Sequence, residues 1–142
     1  MSSQIDIQQT EGHDWSIGDK LTAFTRETTP FDYDPLHYVF NMCVDGQVVA
    51  EASVEKLWGG LDVALFHVEK EHRGKGYGQK LMSAIQDFAK EHDCRSIRLN
   101  TPSFQGKGFY EKCGFELAAE LPTNLVVNGE QVTHCIYTKT LG

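Results

Sequence analysis

Leu61-Asp62-Val63-Ala64-Leu65-Phe66-His67-Val68 precedes a turn carrying Arg73-Gly74-Lys75-Gly76-Tyr77-Gly78, and behind the turn Leu81, Met82, Ile85, Phe88 and Ala89 recur three and four residues apart. The first run is apolar at both parities, which predicts a strand in the middle of a sheet. The last predicts an amphipathic helix with Lys80, Gln86, Asp87 and Lys90 on its outer face. Between them, three glycines and two cations stand where the helix begins. Free main-chain N–H groups, the positive end of the helix dipole and the charges of Arg73 and Lys75 converge there, a combination suited to a polyphosphate.

Two common phosphate motifs do not fit. The dinucleotide fingerprint counted from Gly74 puts Gln79 where its third glycine belongs, and no first βα unit opens the chain. A P-loop needs Gly-Lys-Ser/Thr, and neither Gly74 nor Gly76 begins one. What remains is Arg73-x-x-Gly76-x-Gly78. It resembles the coenzyme A pyrophosphate loop of the GNAT superfamily of N-acetyltransferases.

A second stretch carries the same resemblance. Phe109-Tyr110-Glu111-Lys112-Cys113-Gly114-Phe115 is similar to the short helix that closes the family's cofactor domain, with Gly114 as a left-handed cap. Many members have Asn and Ala where this chain has Ser103 and Gly106. The variant Ser103-Phe104-Gln105, with Glu120-Leu121-Pro122 downstream, resembles a small bacterial subgroup.

Outward from this centre, Ile5-Asp6-Ile7-Gln8 alternates and predicts a first strand. Asp19 to Glu27 predicts one short helix with Gly18 and Asp19 as cap residues, stopped before Pro30. The family usually has two helices there. Phe31-Asp32-Tyr33-Asp34-Pro35 reads as an aromatic loop framing a pocket. Tyr38–Val44 and Gln47–Val54, joined by Asp45-Gly46, form the strongest hairpin signal. Ser96–Thr101 makes a parallel βαβ pair with the strand from Leu61, and strands from Phe115 and from Thr133 close the sheet around a turn at Asn128-Gly129. The expected fold is α/β of the α+β type: a GNAT-like mixed, mostly antiparallel twisted sheet flanked by helices, with one central parallel pair, in a single domain over 1–142.

Composition narrows the functional classes. With 40% apolar and 11% aromatic residues the chain is expected to fold as a globular protein. Without a basic, apolar start or an eighteen-residue apolar run it is expected to be cytoplasmic, with no membrane partner. A net charge of −7 opposes a nucleic-acid partner. It favours a small anionic cofactor at the one cationic turn and a cationic acceptor elsewhere. Cys43, Cys94, Cys113 and Cys135 are far apart and are expected to be free thiols, and the histidines show no zinc-ligand spacing, so no metal is expected.

The resemblance implies acetyl transfer from acetyl-CoA to a primary amine of a small molecule or peptide. It maps the cofactor-contacting set onto Arg73, Gly74, Lys75, Gly76, Tyr77, Gly78 and Gln79, with Ser103, and onto Phe66 and Val68 of the central strand beside the pantetheine arm. It further implies that the Val68 N–H faces the oxygen of the tetrahedral intermediate, and that Tyr110 protonates the leaving thiolate. Strand alternation places Val63, Leu65 and His67 on one face, so His67 becomes a candidate general base. Glu51, Glu55, Asp62, Glu69 and water are its rivals. The alternative of another class is a non-catalytic acyl-CoA-binding module. An exposed C-terminal edge strand would allow a homodimer.

Overall fold

The computed structural model describes residues 4–12, 14–30 and 35–142, Lys107 by its main chain alone. Two compact units form, one up to residue 34 and one from Pro35 to Gly142. In the first, helix α1 (Ser16–Thr28) begins where Asp14 Oδ1 accepts the main-chain N–H (2.9 Å) and the hydroxyl (2.6 Å) of Ser16. These bonds, the hydroxyl's first, hold the Asp14 carboxyl below its ordinary pKa. Gly18 and Asp19, expected as caps, therefore lie inside the helix. The strand expected over Ile5–Gln8 is absent: residues 4–10 have no regular structure, and Ile5 and Ile7 are 85% and 90% exposed. Alternation supplies a face, but an extended segment also needs a ladder partner to satisfy its main chain.

The second unit is a six-stranded sheet in the order β1-β2-β3-β4-β6-β5. Its strands are β1 (Leu36–Val44), β2 (Gln47–Leu57), β3 (Gly60–Val68), β4 (Ser96–Pro102), β5 (Glu116–Val127) and β6 (Glu130–Thr140), with helices α2 (Tyr77–Glu91) and α3 (Lys107–Lys112). Only β3 and β4 run parallel, joined through α2. Three two-residue hairpin turns, Asp45-Gly46, Trp58-Gly59 and Asn128-Gly129, have positive φ at both residues. That geometry matches the strands' right-handed twist.

The buried stripe of α2, Leu81, Met82, Ile85 and Ala89, covers Ala50, Ala52 and Val54 of β2, Leu61 and Val63 of β3, and Ile97 and Leu99 of β4. Phe88 extends the contact, its ring 4.7 Å from Tyr38 and 5.3 Å from Phe40 of β1. Tyr38 thus belongs to the core, while Phe31 to Asp34 of the expected pocket loop lie outside the described residues.

Two expectations are corrected by the register. On β3 the pairing with β2 shifts between Ser53↔Leu65 and Val54↔Val63, leaving Ala64 as a bulge. Val63 faces the core before the bulge and Phe66 and Val68 pack against it after, so Leu65 and His67 fall on the opposite face from Val63. An extra residue always inverts the parity of the strand beyond it. The C-terminal strand is also not an edge: β6 is inserted between β4 and β5. The edge on that side is β5, interrupted by Pro122 and by register shifts between Leu117 and Ala119 and between Pro122 and Val126, and the edge on the other side is β1. Edges broken in this way resist pairing with another chain.

Because Ile85 is fully buried and Leu125 is 53% exposed, Ile85→Ala is expected to lower stability by about 3 kcal/mol. Leu125→Ala should stay within about 0.5 kcal/mol of the parent in urea denaturation.

Candidate active site

The parallel ladder between β3 and β4 has four rungs, Gly60↔Ser96 to Val63↔Leu99, although β3 continues to Val68 and β4 to Pro102. Past the last rung β4 stays with β6, down to Pro102↔His134, and β3 stays with β2, up to Ala50↔Val68. The two central strands part. A wedge opens with the far half of β3 along one side, its main-chain groups on that side released from the ladder.

The Gly-rich turn lies at the end of this half-strand. Arg73 Nε donates to the Val68 carbonyl at 3.1 Å, folding the turn back onto the strand. Gly74 and Gly76 have φ of 79° and 82°, conformations that glycine adopts freely and L side chains do not. The first bond into α2 runs from Lys80 N–H to the Gly76 carbonyl at 3.2 Å. Among the described residues, the six amides from Gly74 to Gln79 donate to no carbonyl or side chain. They form a row of free donors at the positive end of a fifteen-residue helix, the arrangement that accepts phosphate oxygens. Lys75 and Lys80 add charge, with the Lys80 ammonium 6.0 Å from the Tyr77 ring. His72 lies beside them, its ring 6.0 Å from Tyr77 and its Nδ1 buried without a partner.

Gly78 has a different duty. A Cβ there would stand 3.0 Å from Phe109 Cε2 and 3.4 Å from Val68 Cγ2. Its absence lets the first turn of α2 seat against both α3 and the end of β3. Phe109 in turn packs on Phe66 (5.5 Å) and Tyr110 (5.2 Å). Tyr110 is held among Phe109, Phe115 and Tyr137, over Gly106, whose Cβ would come within 2.8 Å of its ring. Burial, with a smaller effect of Cys113, raises the phenol's pKa, so Tyr110 carries its proton at neutral pH. Phe66, Val68, the glycine turn and α3 with Tyr110 are therefore neighbours on one side of the sheet.

Ser103 and His67 stand apart from that group. Ser103 continues the β4 ladder: its N–H donates to Thr133 O at 2.8 Å and its hydroxyl accepts the Thr133 N–H at 3.0 Å. His67 lies on the face away from α2, opposite Glu51 on β2, with Nε2 3.7 Å from Glu69 Oε1. It borders a mainly apolar hollow of about 410 Å³ with Val39, Ser53 and Leu65. A second cavity of about 440 Å³ on this face opens at Val63, Ala64 and Leu99, where the strands part, and includes Glu55, Asp62 and Arg98. Arg98 carries no signal in the sequence, because only the register β2-β3-β4 brings it beside Asp62. Among the described residues no group of three or more His, Cys, Asp or Glu is placed to hold a metal. No described helix is long and apolar enough to cross a membrane.

Comparison with known proteins agrees with this geometry. Residues 5–115 match the model of the acetyltransferase (GNAT) family. Blasticidin-S acetyltransferase of Streptomyces morookaense is 36% identical over 66 residues, 46% of this chain and 48% of that protein, so the match spans about half the relative's length. An acetyltransferase crystal structure from Bacillus cereus superimposes with a TM-score of 0.76 at 20% identity, covering 94% of this chain and 98% of that one. A Salmonella typhimurium protein solved with its cofactor acetyl-CoA gives 0.63 at 21% identity, covering 75% and 65%. On that family match, which takes in β1 to β4, the glycine turn and α3, the chain belongs to the acetyltransferase (GNAT) family.

Proposed function

We propose that this chain is an N-acetyltransferase that moves an acetyl group from acetyl-CoA directly to a primary amine. The observation that carries the proposal is the row of six free amides from Gly74 to Gln79 at the end of the β3–β4 wedge. Acetyl-CoA would bring a diphosphate and an already activated thioester. The residues present fit both. The amide row and Lys75 would hold the diphosphate, and the edge of β3 at Phe66 and Val68, freed from β4, would take an extended arm as an added strand takes its neighbour.

The remaining work is alignment and proton control. Tyr110 keeps a proton on its phenol oxygen, its pKa raised further by partial burial, and would deliver it to the sulfur that leaves. The attacking amine's proton would pass to the face away from α2, where His67, Glu51 and Glu69 lie and where water has access. That division keeps a proton donor and a proton acceptor on opposite sides of one gap.

Tyr110→Phe is expected to lower kcat about 100-fold in a thiol-release assay while leaving the calorimetric affinity for coenzyme A within twofold. The raised phenol pKa keeps the acid form through the whole neutral range. The rate should therefore climb with the free-amine fraction and show no alkaline fall below about pH 10. A protein that binds coenzyme A but releases no thiol with polyamines, aminoglycosides, amino acids or peptide amines, and is indifferent to Tyr110→Phe, would instead be an acyl-CoA-binding module. For the anchor itself, Gly76→Ala forces an L side chain into a left-handed φ, a strain of roughly 1–2 kcal/mol. It should weaken coenzyme A binding about tenfold by calorimetry.

A further inference from the structure

The 440 Å³ cavity on the face away from α2 has a charge arrangement that bears on which amine the protein accepts. Glu55, Asp62 and Arg98 form one row across three strands, Glu55 opposite Asp62 and Asp62 opposite Arg98. Arg98 Nε and Nη2 donate to the two Asp62 oxygens at 3.0 and 3.2 Å. That bidentate pair neutralises its own charges. Glu55, half-buried in the cavity wall, has no ion-pair partner among the described residues and meets His37 rather than a lysine or arginine across β1.

The cavity begins where β3 and β4 part, at Val63, Leu99 and the bulged Ala64. An amine reacting in the gap must be unprotonated there, so the free Glu55 carboxylate is available to a different nitrogen. Strands lie about 4.8 Å apart, which puts Glu55 on β2 about 7 Å to one side of the midline between β3 and β4. The Glu55–Asp62 rung also lies one residue, about 3.3 Å, before the last rung at Val63↔Leu99, so the Glu55 backbone stands about 8 Å from the mouth of the gap, and with the carboxylate's own reach a four- or five-carbon diamine spans that distance. The guanidinium at the β4 end of the row disfavours an ammonium on that side and leaves Glu55 as the attractive end.

Resting on the acetyltransferase reading above, we infer that Glu55 anchors a second, protonated nitrogen of the acceptor, and that the acceptor class is diamines and longer polyamines. A carboxylate inside a half-enclosed cavity holds an ammonium more firmly than one on open surface, since less water competes. The overall charge of −7 draws such cations toward the protein.

The test compares 1,4-diaminobutane with butylamine, on the parent and on Glu55→Gln, by thiol release from acetyl-CoA, with circular dichroism to establish that the variant is folded. The parent should prefer the diamine at least tenfold in kcat/KM. Glu55→Gln should remove that preference and leave butylamine within twofold. Equal losses for both amines would overturn the anchor, since Glu55 would then act on the attacking nitrogen, and so would no loss for either. Binding of 1,4-diaminobutane to the protein saturated with coenzyme A, measured by calorimetry, separates this inference from the one it rests on. Weaker binding to Glu55→Gln upholds the anchor even if neither amine is acetylated, whereas unchanged binding rejects it.

Discussion

The separation of β3 from β4 after Val63↔Leu99 is the constraint on which the site depends. A parallel pair joined through a helix is ordinarily closed along its length, and its main-chain groups are consumed by the ladder. Here each strand finds its continuing partner on the outer side, β3 in β2 and β4 in β6, so the inner edges are free to diverge without leaving the outer ones unpaired. The bulge at Ala64 assists, because an extra residue bends its strand and increases its local twist. The divergence then acquires a floor: α2 spans both strands with Leu81, Met82 and Ile85 buried between them.

The mouth of that helix is fixed by two independent steric facts. Left-handed Gly74 and Gly76 turn the chain tightly enough for the amides to point outward. Gly78 removes the one Cβ that would push α2 away from Phe109 and Val68. The first pair of glycines concerns main-chain conformation, whereas the last concerns close approach. Their combined effect is that a helix terminus, a strand edge and the short helix bearing Tyr110 share one corner. The burial that packs Tyr110 against Tyr137 and Phe115 is the same burial that raises its pKa, so the packing also favours the protonated phenol.

Features set by local rules were legible in the sequence. The glycine spacing located the turn, Asp45-Gly46 and Asn128-Gly129 located two hairpins, and three- and four-residue spacing identified the buried face of α2. Features set by pairing were not. Nothing in Val63-Ala64-Leu65 announces a bulge, since its cause is how β2 registers against β3, and the face assigned to Val63, Leu65 and His67 by alternation was split by it. Ile5 and Ile7 alternate as a strand should, but alternation cannot supply a partner. The place of β6 inside the sheet likewise depends on β4 having an outer edge to offer. Asp62 and Arg98, separated by 36 positions, meet only because the parallel register makes them opposite.

In the proposed reaction, this register would let an acidic chain serve two ligands of opposite charge. The net charge of −7 would repel a diphosphate approaching at random, yet the α2 mouth answers it with dipoles and amides, which add no net charge, together with Lys75 and Lys80. Such a site attracts at short range and leaves the far field negative. On the other face the uncompensated groups near the gap are carboxylates, Glu51 and Glu55, because the one guanidinium in the row is taken up by Asp62. The sheet, one strand layer thick, would thus separate the proposed diphosphate corner from the proposed acceptor cavity. Because the strands part between them, two ligands held in this way would meet at the gap without either crossing the other's site.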